Sequence, residues 1–399
     1  MSLNNVKVVK KDGTKEEFNV QKVVVAVNKS AYRALIKFSQ KDIDFICHFV
    51  EEKVEELGVH EIQIPEMHNI VEGALEKVNP IVAKSYRDYR NYKQDFVQML
   101  DEVYKKSQSI MYIGDKENSN TDSALVSTKR SLIFNELNKE LYKKFFLTVE
   151  ELQAIREGYI YIHDMSARRD TMNCCLFDVK SVLTGGFEMG NLWYNEPKTL
   201  DTAFDVIGDI VLSAASQQYG GFTVPSVDEI LEPYAKRSHE NHLNKYRSLG
   251  LSEEVAQEIA WKDLEKEMEQ GFQGWEYKFN SVSSSRGDYP FITMTSGTDI
   301  SEYGKLVTKT MLEVRAGGQG KPGHKKPVLF PKIVFLYDEN LHGPGKPGED
   351  LFEAGIECSR KTMYPDWLSL SGEGYVASIY KKYGKVISPM GCRAFLSPW

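Results

Sequence analysis

Three consecutive segments in the last third of the chain decide its fold class. Residues 289–297 read YPFITMTSG and residues 327–337 read PVLFPKIVFLY. Both are short apolar runs rich in β-branched and aromatic residues, which predicts strands. Between them, residues 301–315 read SEYGKLVTKTMLEVR and repeat apolar residues at three- and four-residue steps, which predicts a helix. Strands that alternate with helices are typical of a parallel α/β construction.

Helical patterns continue upstream of these strands. The segment LDTAFDVIGDIVLSAASQQYGG, residues 200–221, places Phe204, Ile207 and Ile210 on one face and ends in two glycines. This spacing predicts an amphipathic helix with a defined end. Residues 236–285 are mostly charged and are predicted to be helical. The sequence therefore predicts a mixed α/β domain in the second part of the chain.

The first hundred residues have the pattern of a small separate domain, 1–100. Residues 6–18, VKVVKKDGTKEEF, alternate around Asp12-Gly13 and predict a β-hairpin, which Asn19 follows as a helix N-cap. Helical patterns then occupy the stretches 20–36, 41–57, 63–78 and 81–100. The polar stretch SQSIMYIGDKENSNTDSALVSTKR that follows is predicted to be a linker or long loop over 101–130.

The overall composition excludes several classes of protein. The 399 residues are 41% hydrophobic and 27% charged with a net charge of −7, which suits a globular protein of two domains and gives no basic surface for nucleic acid. No apolar run approaches the ~18 residues of a membrane span, and no export signal is present at the N-terminus. The five cysteines include no CxxC pair, which argues against a disulfide framework or a zinc or other metal site. A reduced, cytoplasmic protein is expected.

Lysines gather at the N-terminal hairpin. Lys10, Lys11, Lys15 and Lys22 lie in or beside the turn, where the first helix begins. Backbone N–H groups and the helix dipole favour phosphate at such a point. The alternative is a solvated hairpin with scattered lysines, and turn chemistry alone favours that alternative.

The lysine-rich turn is part of a longer sequence pattern. The strings VKKDGTKEEFNVQKVVVAV, MHNIVEGAL and YRDYRNYK resemble the ATP-cone, the regulatory nucleotide-binding module at the start of many ribonucleotide reductases. The resemblance implies that ATP or dATP is bound as an allosteric effector. Its implied contact residues are Lys10, Lys11, Glu16, Asn19, Lys22 and His68. The chain departs from the pattern at Ile64, where many cones have threonine or serine.

Two further segments carry residues that could be reactive. His163 and Asp164 precede Asn173-Cys174-Cys175, and Cys392 stands in a Gly-Cys-Arg turn near the end of the chain. Cysteines before an apolar strand are usually buried and inert, although vicinal cysteines also occur in metal and redox sites. A reactive thiol needs partial exposure and an electropositive neighbour. The residues alone leave both readings open.

Several motifs along the whole chain, taken in order, resemble a second known family. The strings ENSNTDS, IHD, NCCLFDVKSVLTGGFEMGN, YGGFTVPSVDEIL, LFPKIVF, MYPDW and PMGCRAFL resemble, in this order, the catalytic subunit of the anaerobic, class III ribonucleoside-triphosphate reductases. The resemblance implies that residues 131–399 form the first part of a ten-stranded α/β barrel with a finger loop. It also implies radical reduction of ribonucleoside triphosphates to 2′-deoxyribonucleoside triphosphates.

The resemblance assigns roles to individual residues. Cys392 matches the fingertip cysteine, which becomes a thiyl radical and takes hydrogen from ribose C3′. Cys174, preferred over Cys175, matches the cysteine that assists loss of the 2′-hydroxyl as water. Met390 fits the pattern of formate-using members, and His163 and Asn173 are expected to line the pocket.

The resemblance also implies partners that this chain does not contain. Family members form homodimers, and an activase that uses S-adenosylmethionine and an iron–sulfur cluster generates their glycyl radical. The family continues for roughly three hundred residues beyond this point, and that part carries the glycyl radical loop and a four-cysteine zinc site, so this chain is expected to be a front portion, inactive alone. One alternative is a non-catalytic nucleotide-sensing protein with an incomplete barrel. A glycyl-radical enzyme for another substrate is disfavoured by the cone.

Overall fold

The chain is divided into two compact units, residues 1–105 and 106–399. The structure is a computed structural model, and each unit is considered by itself below. It describes residues 6–10, 12–112, 124–168, 172, 174–218, 220–281, 289–384, 388–390 and 394–395.

The first unit is a small sheet with helices packed on it. β1 and β2 form the predicted antiparallel hairpin, and β3 pairs parallel with β1, giving the order β2-β1-β3. The elements are β1 (Lys7–Val9), β2 (Lys15–Glu17), α1 (Val20–Arg33), α2 (Gln40–Leu57), β3 (Glu61–Gln63), α3 (Ile64–Val78) and α4 (Pro80–Tyr112).

Local sequence explains where the helices of this unit begin. The Asn19 side chain accepts a hydrogen bond from the backbone N–H of Gln21 at 2.8 Å and caps α1 as predicted. Ser39 and Asp42 form a reciprocal capping box at the start of α2. Pro65 lies in the first turn of α3, where its missing N–H is not needed. The apolar faces of these helices bury a core of their own.

The predicted loop at 101–130 is partly wrong, because both of its ends are helical. α4 extends to Tyr112 and α5 begins at Val126, while residues 113–123 lie outside the described part. Contacts between distant segments stabilise these polar ends. Lys106 Nζ lies 2.9 Å from the Glu136 carboxylate of α5, and Lys129 Nζ donates to the Met111 carbonyl at 2.8 Å. Such pairs cannot be predicted from the local composition of the segment.

The second unit has the predicted α/β construction. Among its described residues, five parallel strands form a sheet in the order β10-β9-β8-β7-β4. The order of these five strands across the sheet is therefore their order along the chain. The strands of this unit are β4 (Cys175–Leu176), β5 (Phe187–Met189), β6 (Leu192–Tyr194), β7 (Phe222–Val224), β8 (Ile292–Ser296), β9 (Lys332–Tyr337), β10 (Asp366–Ser369), β11 (Pro389–Met390) and β12 (Ala394–Phe395). The full ten-stranded barrel stays a prediction.

Helices connect successive strands of the sheet, as parallel pairing requires. The predicted helices at 200–215 and 301–315 are present as α8 and α11, and the charged stretch after 236 belongs to two long helices. The helices of this unit are α5 (Val126–Phe146), α6 (Val149–Arg156), α7 (Val179–Leu183), α8 (Leu200–Ser216), α9 (Val227–Ser248), α10 (Glu253–Phe279), α11 (Glu302–Gly317), α12 (Glu339–His342), α13 (Glu349–Thr362) and α14 (Tyr375–Tyr383).

The two faces of the sheet differ in chemistry. Phe222, Ile292 and Met294 lie on one face and pack in the main apolar core with residues of the connecting helices. The opposite face carries Thr223 and Thr295 on β7 and β8 and is also buried. Both faces are therefore covered, as is usual for parallel sheets.

Two elements near the end of the chain cover the threonine face. Leu370, Val376 and Tyr380 pack on the β9 residues Val334 and Leu336. Beside them, β11 contacts β7 and pairs antiparallel with β12, Pro389 opposite Phe395 and Met390 opposite Ala394. A hairpin thus lies against the sheet on the side away from the main core.

The described residues contain neither a membrane-spanning helix nor a cluster of metal ligands. None of the helices there is both long and apolar enough to span a bilayer. Within the same residues, no group of three or more His, Cys, Asp or Glu side chains is arranged to hold a metal ion.

Candidate functional sites

The first candidate site is a charged cluster beside the N-terminus of α1. Glu16 lies between two ammonium groups, hydrogen-bonded to Lys10 and, at 2.5 Å, to Lys22. The hydrogen bond from Lys10, followed by that from Lys22, holds the pKa of Glu16 below its usual range. Two cations therefore share one carboxylate next to the positive end of a helix dipole. Lys11 lies outside the described residues.

The register of the small sheet brings the start of a second helix, α3, to the end of β1 where Lys10 lies. Val9 pairs with Gln63, so Lys10 and the first residue of α3, Ile64, directly follow paired positions. α3 also carries His68, whose Nδ1 lies 2.7 Å from the Tyr86 hydroxyl. Burial raises the pKa of Tyr86 to about 12, so this hydroxyl stays protonated and can donate a hydrogen bond to the imidazole. His68 is thus oriented by a buried tyrosine.

The second candidate site begins with the two vicinal cysteines. Cys175 pairs with Phe222, packs against the main core, and its Sγ lies 2.9 Å from the Gln218 side-chain oxygen. Burial, with a smaller effect of Cys174, raises the pKa of Cys175 to about 11. The Cys175 thiol is therefore protonated near neutral pH and lies on the helix-covered side of the sheet.

Cys174 has a different neighbourhood. The backbone N–H of Gly221 donates to its Sγ at 3.2 Å. Because neighbouring residues of a strand point to opposite faces, Cys174 belongs to the threonine face of the sheet. This is the face on which the terminal hairpin lies.

Hydroxyl groups join that hairpin to the sheet. Thr223 Oγ1 donates to the Pro389 carbonyl at 2.9 Å, and Thr295 Oγ1 lies 3.1 Å from Ser388 Oγ. Met390 belongs to β11, but its side chain lies outside the described residues, as do Asn173 and Cys392. The segment that directly precedes Cys392 in sequence therefore lies on the same face as Cys174.

His163 is half exposed. Its Nδ1 lies 2.5 Å from the Asp164 carboxylate, and its ring meets Tyr161 edge to face. These contacts are local, so the expected place of His163 in the pocket stays a prediction.

The sequence analysis missed a buried network at the carboxyl ends of the strands. Asp228 accepts hydrogen bonds from the backbone N–H groups of Gly297, at 2.8 Å, and Asp299, at 3.0 Å. His342 Nε2 donates to the Gly297 carbonyl at 2.7 Å. Burial raises the pKa of Asp228 to about 6. The only sequence signal was a glycine directly after a strand, which has a φ of +122° here.

This network matters because of its position. In open parallel α/β sheets, ligands bind outside the carboxyl ends of the strands. The loop that follows β8 is held there from both sides, by Asp228 of α9 and by His342 of α12. Its backbone is therefore fixed at the edge where a ligand is expected.

Comparisons with known proteins match both units of the chain to known families. Residues 117–398 match the family model of the anaerobic ribonucleoside-triphosphate reductases, and residues 6–95 match the model of the ATP cone domain. The anaerobic ribonucleoside-triphosphate reductase of Haemophilus influenzae is 32% identical over 409 residues, which cover 100% of this chain and 56% of the relative. The enzyme of the same name from Escherichia coli is 29% identical, over 98% of this chain and 54% of the relative.

A solved structure is similar at a lower level. The anaerobic ribonucleotide reductase from Thermotoga maritima with MES in the active site has a TM-score of 0.48 and 16% identity, covering 74% of this chain and 51% of that one. The chain spans about half the length of the curated relatives that it matches. With a family match over residues 117–398, the chain belongs to the anaerobic ribonucleoside-triphosphate reductases and carries an ATP cone domain at its start.

Proposed function

We propose that this chain supplies the substrate-reducing sheet and the regulatory cone of an enzyme that reduces ribonucleoside triphosphates to 2′-deoxyribonucleoside triphosphates. The observation that carries the proposal is the hairpin that flanks Cys392. Its first strand is hydrogen-bonded to Thr223, on the sheet face to which Cys174 belongs. The strand that directly precedes Cys392 in sequence and the position of Cys174 are thereby assigned to one face.

In the proposed reaction, a thiyl radical at Cys392 takes the hydrogen atom from ribose C3′, which leaves the radical on carbon and an S–H bond at Cys392. The Cys174 thiol gives a proton to the 2′-hydroxyl, which leaves as water. As water leaves, the 3′-hydroxyl proton restores the Cys174 thiol, C3′ becomes a ketone and the radical moves to C2′. Formate is the proposed two-electron reductant: its hydrogen atom forms the new C–H bond at C2′, and its remaining electron, with a proton from solvent, turns the ketone back into a C3′ radical as carbon dioxide is released. Cys392 then returns its hydrogen to C3′. Burial of such a site limits side reactions of the radical.

Cys174 is the better candidate for the proton donor than Cys175. The Cys175 thiol packs against the helix-covered core, where a nucleotide has no room. We further propose that His163, Asn173 and Met390 contribute to the pocket and its use of formate, as the family resemblance implies.

The remaining components are proposed from the family. A glycyl radical, made by an activase that uses S-adenosylmethionine and an iron–sulfur cluster, supplies the radical character to Cys392. A zinc site in the remaining part of such enzymes, a homodimeric assembly and a cytoplasmic location belong to the same proposal. The alternative of a non-catalytic sensing protein is less well supported, because the reductase family model matches residues 117–398.

We propose that the cone binds ATP or dATP through Lys10, Lys11, Glu16, Asn19, Lys22 and His68. Lys10 and Lys22 are paired with Glu16, and a triphosphate is a stronger partner for two ammonium groups than one carboxylate. The N-terminus of α1 adds favourable backbone dipoles for phosphate. The same lysines can therefore exchange part of their contact with Glu16 for the phosphates, with Glu16 remaining at the site.

The test of the catalytic proposal is Cys392→Ala in the protein as expressed from its gene, activated anaerobically. We expect the circular dichroism spectrum and the affinity for substrate to be kept, and deoxynucleotide formation to be lost. Cys47→Ala, in α2 of the other unit, is the matched control and should keep the activity. Deoxynucleotide formation by the Cys392→Ala variant would refute the radical role.

A further inference from the structure

Two hydroxyl groups of the sheet hold the strand that precedes Cys392. Thr223 Oγ1 donates to the main-chain carbonyl of Pro389, three residues before that cysteine. Thr295 Oγ1 accepts from the backbone N–H of Ser226 at 2.9 Å and also contacts Ser388 Oγ. Thr223, Thr295 and Ser388 are all buried, so these hydrogen bonds are shielded from water.

The residue just before β7, the strand that carries Thr223, contacts Cys174. The Gly221 N–H that donates to Cys174 Sγ lies just before β7, two residues from Thr223. Two residues of a strand span about 7 Å. A single stretch of backbone, residues 221–223, therefore anchors both the thiol of Cys174 and the hairpin strand that leads to Cys392.

Threonine at these two positions is not explained by packing alone. β7 and β8 are buried on both faces, where valine or isoleucine would serve a parallel strand at least as well. Burying a hydroxyl costs free energy unless it is hydrogen-bonded. The Thr223 hydroxyl offsets that cost by binding a backbone carbonyl of the hairpin, which valine cannot do.

We propose that Thr223 and Thr295 are positioning residues that set the place of residues 388–390, the strand that precedes Cys392 in sequence, relative to Cys174. The inference rests on the proposed function for its consequence in turnover, but its physical content concerns the seating of residues 388–395. Removing the Thr223 hydroxyl leaves the Pro389 carbonyl without that hydrogen bond, and removing the Thr295 hydroxyl does the same to the buried Ser388 hydroxyl. The hairpin should then leave the sheet more often.

The test compares Thr223→Val, Thr295→Val and Thr223→Ser in the protein as expressed from its gene, activated anaerobically for the turnover measurements. Hydrogen–deuterium exchange is followed on peptides that cover residues 388–395, together with kcat and KM for the ribonucleotide. Loss of one buried hydrogen bond should speed exchange of these peptides about three- to tenfold. We expect kcat to fall at least as much while KM changes little. Thr223→Ser keeps the hydroxyl and should restore both values.

Thr308→Val is the matched control. Thr308 is a buried threonine of α11, and its hydroxyl has no hydrogen-bond partner among the described residues. This variant should leave exchange of the 388–395 peptides and turnover unchanged.

Unchanged exchange of these peptides in both valine variants overturns the positioning role, whatever the activity. If one valine variant does not fold, the other and the serine variant decide the same point. Faster exchange together with an active Cys392→Ala enzyme would instead overturn the proposed function and leave the seating intact.

Discussion

Asp228 is a fully buried carboxyl group that holds the loop after β8. Burial raises its pKa from 3.8 to about 6, so between these pH values the folded protein keeps a proton that the unfolded chain releases. The contribution of Asp228 to stability is therefore fully present below about pH 4 and is lost as the pH rises to about 6. Above that pH the protein holds a buried charge.

We expect Asp228→Asn to reveal this dependence. The asparagine oxygen can still accept from Gly297 and Asp299 but cannot ionise. From pH 4.5 to pH 7, the free energy of unfolding of the variant should improve relative to the parent by about 2 kcal/mol. Urea unfolding at the two pH values measures the difference. Thr308→Val, which removes no ionisable group, should show none; a pH-independent Asp228→Asn difference would contradict the prediction.

Cys175 provides a second prediction at the level of a single residue. Because burial raises its pKa to about 11, its thiolate fraction should increase about tenfold per pH unit well beyond the range of an ordinary thiol. Alkylation by iodoacetamide, located on Cys174 or Cys175 by peptide fragmentation, should still accelerate between pH 9 and pH 10 at Cys175. A rate at Cys175 that levels off below pH 9 would be inconsistent with a buried thiol.

At the scale of elements, α8 and α10 pack through a glycine. A Cβ added at Gly271 would meet the ring of Phe204, which also packs on Phe272 and Trp275. The indole N–H of Trp275 donates to the Phe204 carbonyl at 2.8 Å, which holds the backbone of α8 at this point against α10. The two helices can approach this closely only because residue 271 has no side chain.

Gly271→Ala should therefore lower the free energy of unfolding by about 1–3 kcal/mol, as overpacking does. Gly274→Ala is the matched variant in the same helix, because an added Cβ there meets nothing within 4 Å. It should raise the free energy of unfolding by about 0.5–1 kcal/mol through helix propensity. Chemical denaturation of both variants checks the pair, and equal effects would contradict the packing argument.

Part of this element-level arrangement follows from the sequence. The spacing of Phe204, Ile207 and Ile210 predicts the buried face of α8, and all three are buried. The polar ends of α4 and α5 could not be predicted in the same way. Their helical state depends on pairs such as Lys106 with Glu136, which lie thirty residues apart.

At the scale of the whole molecule, the first unit has a hydrophobic core of its own. We expect a fragment of residues 1–112, which ends with α4, to fold cooperatively without the rest of the chain. ATP or dATP that binds only the folded fragment should raise its melting temperature. Lys22→Ala should remove most of that increase, because it deletes one of the two cations of the cluster.

Calorimetry and thermal unfolding of the fragment with millimolar nucleotide test this expectation. Lys29→Ala, which removes an exposed lysine further along the same helix, is the control and should keep the nucleotide effect. A melting temperature that nucleotide leaves unchanged in the parent fragment would refute the binding proposal.

The sequence by itself determined the α/β class, the hairpin at Asp12-Gly13, the cap at Asn19 and the family. All of these depend on local patterns or on motifs that are contiguous along the chain. Tertiary structure alone decided which cysteine belongs to which face, because a shift of one residue in strand pairing exchanges the faces. The tertiary structure alone also brought Thr223 to Pro389, which are 166 residues apart in sequence, since such a contact is set by the packing of the whole sheet.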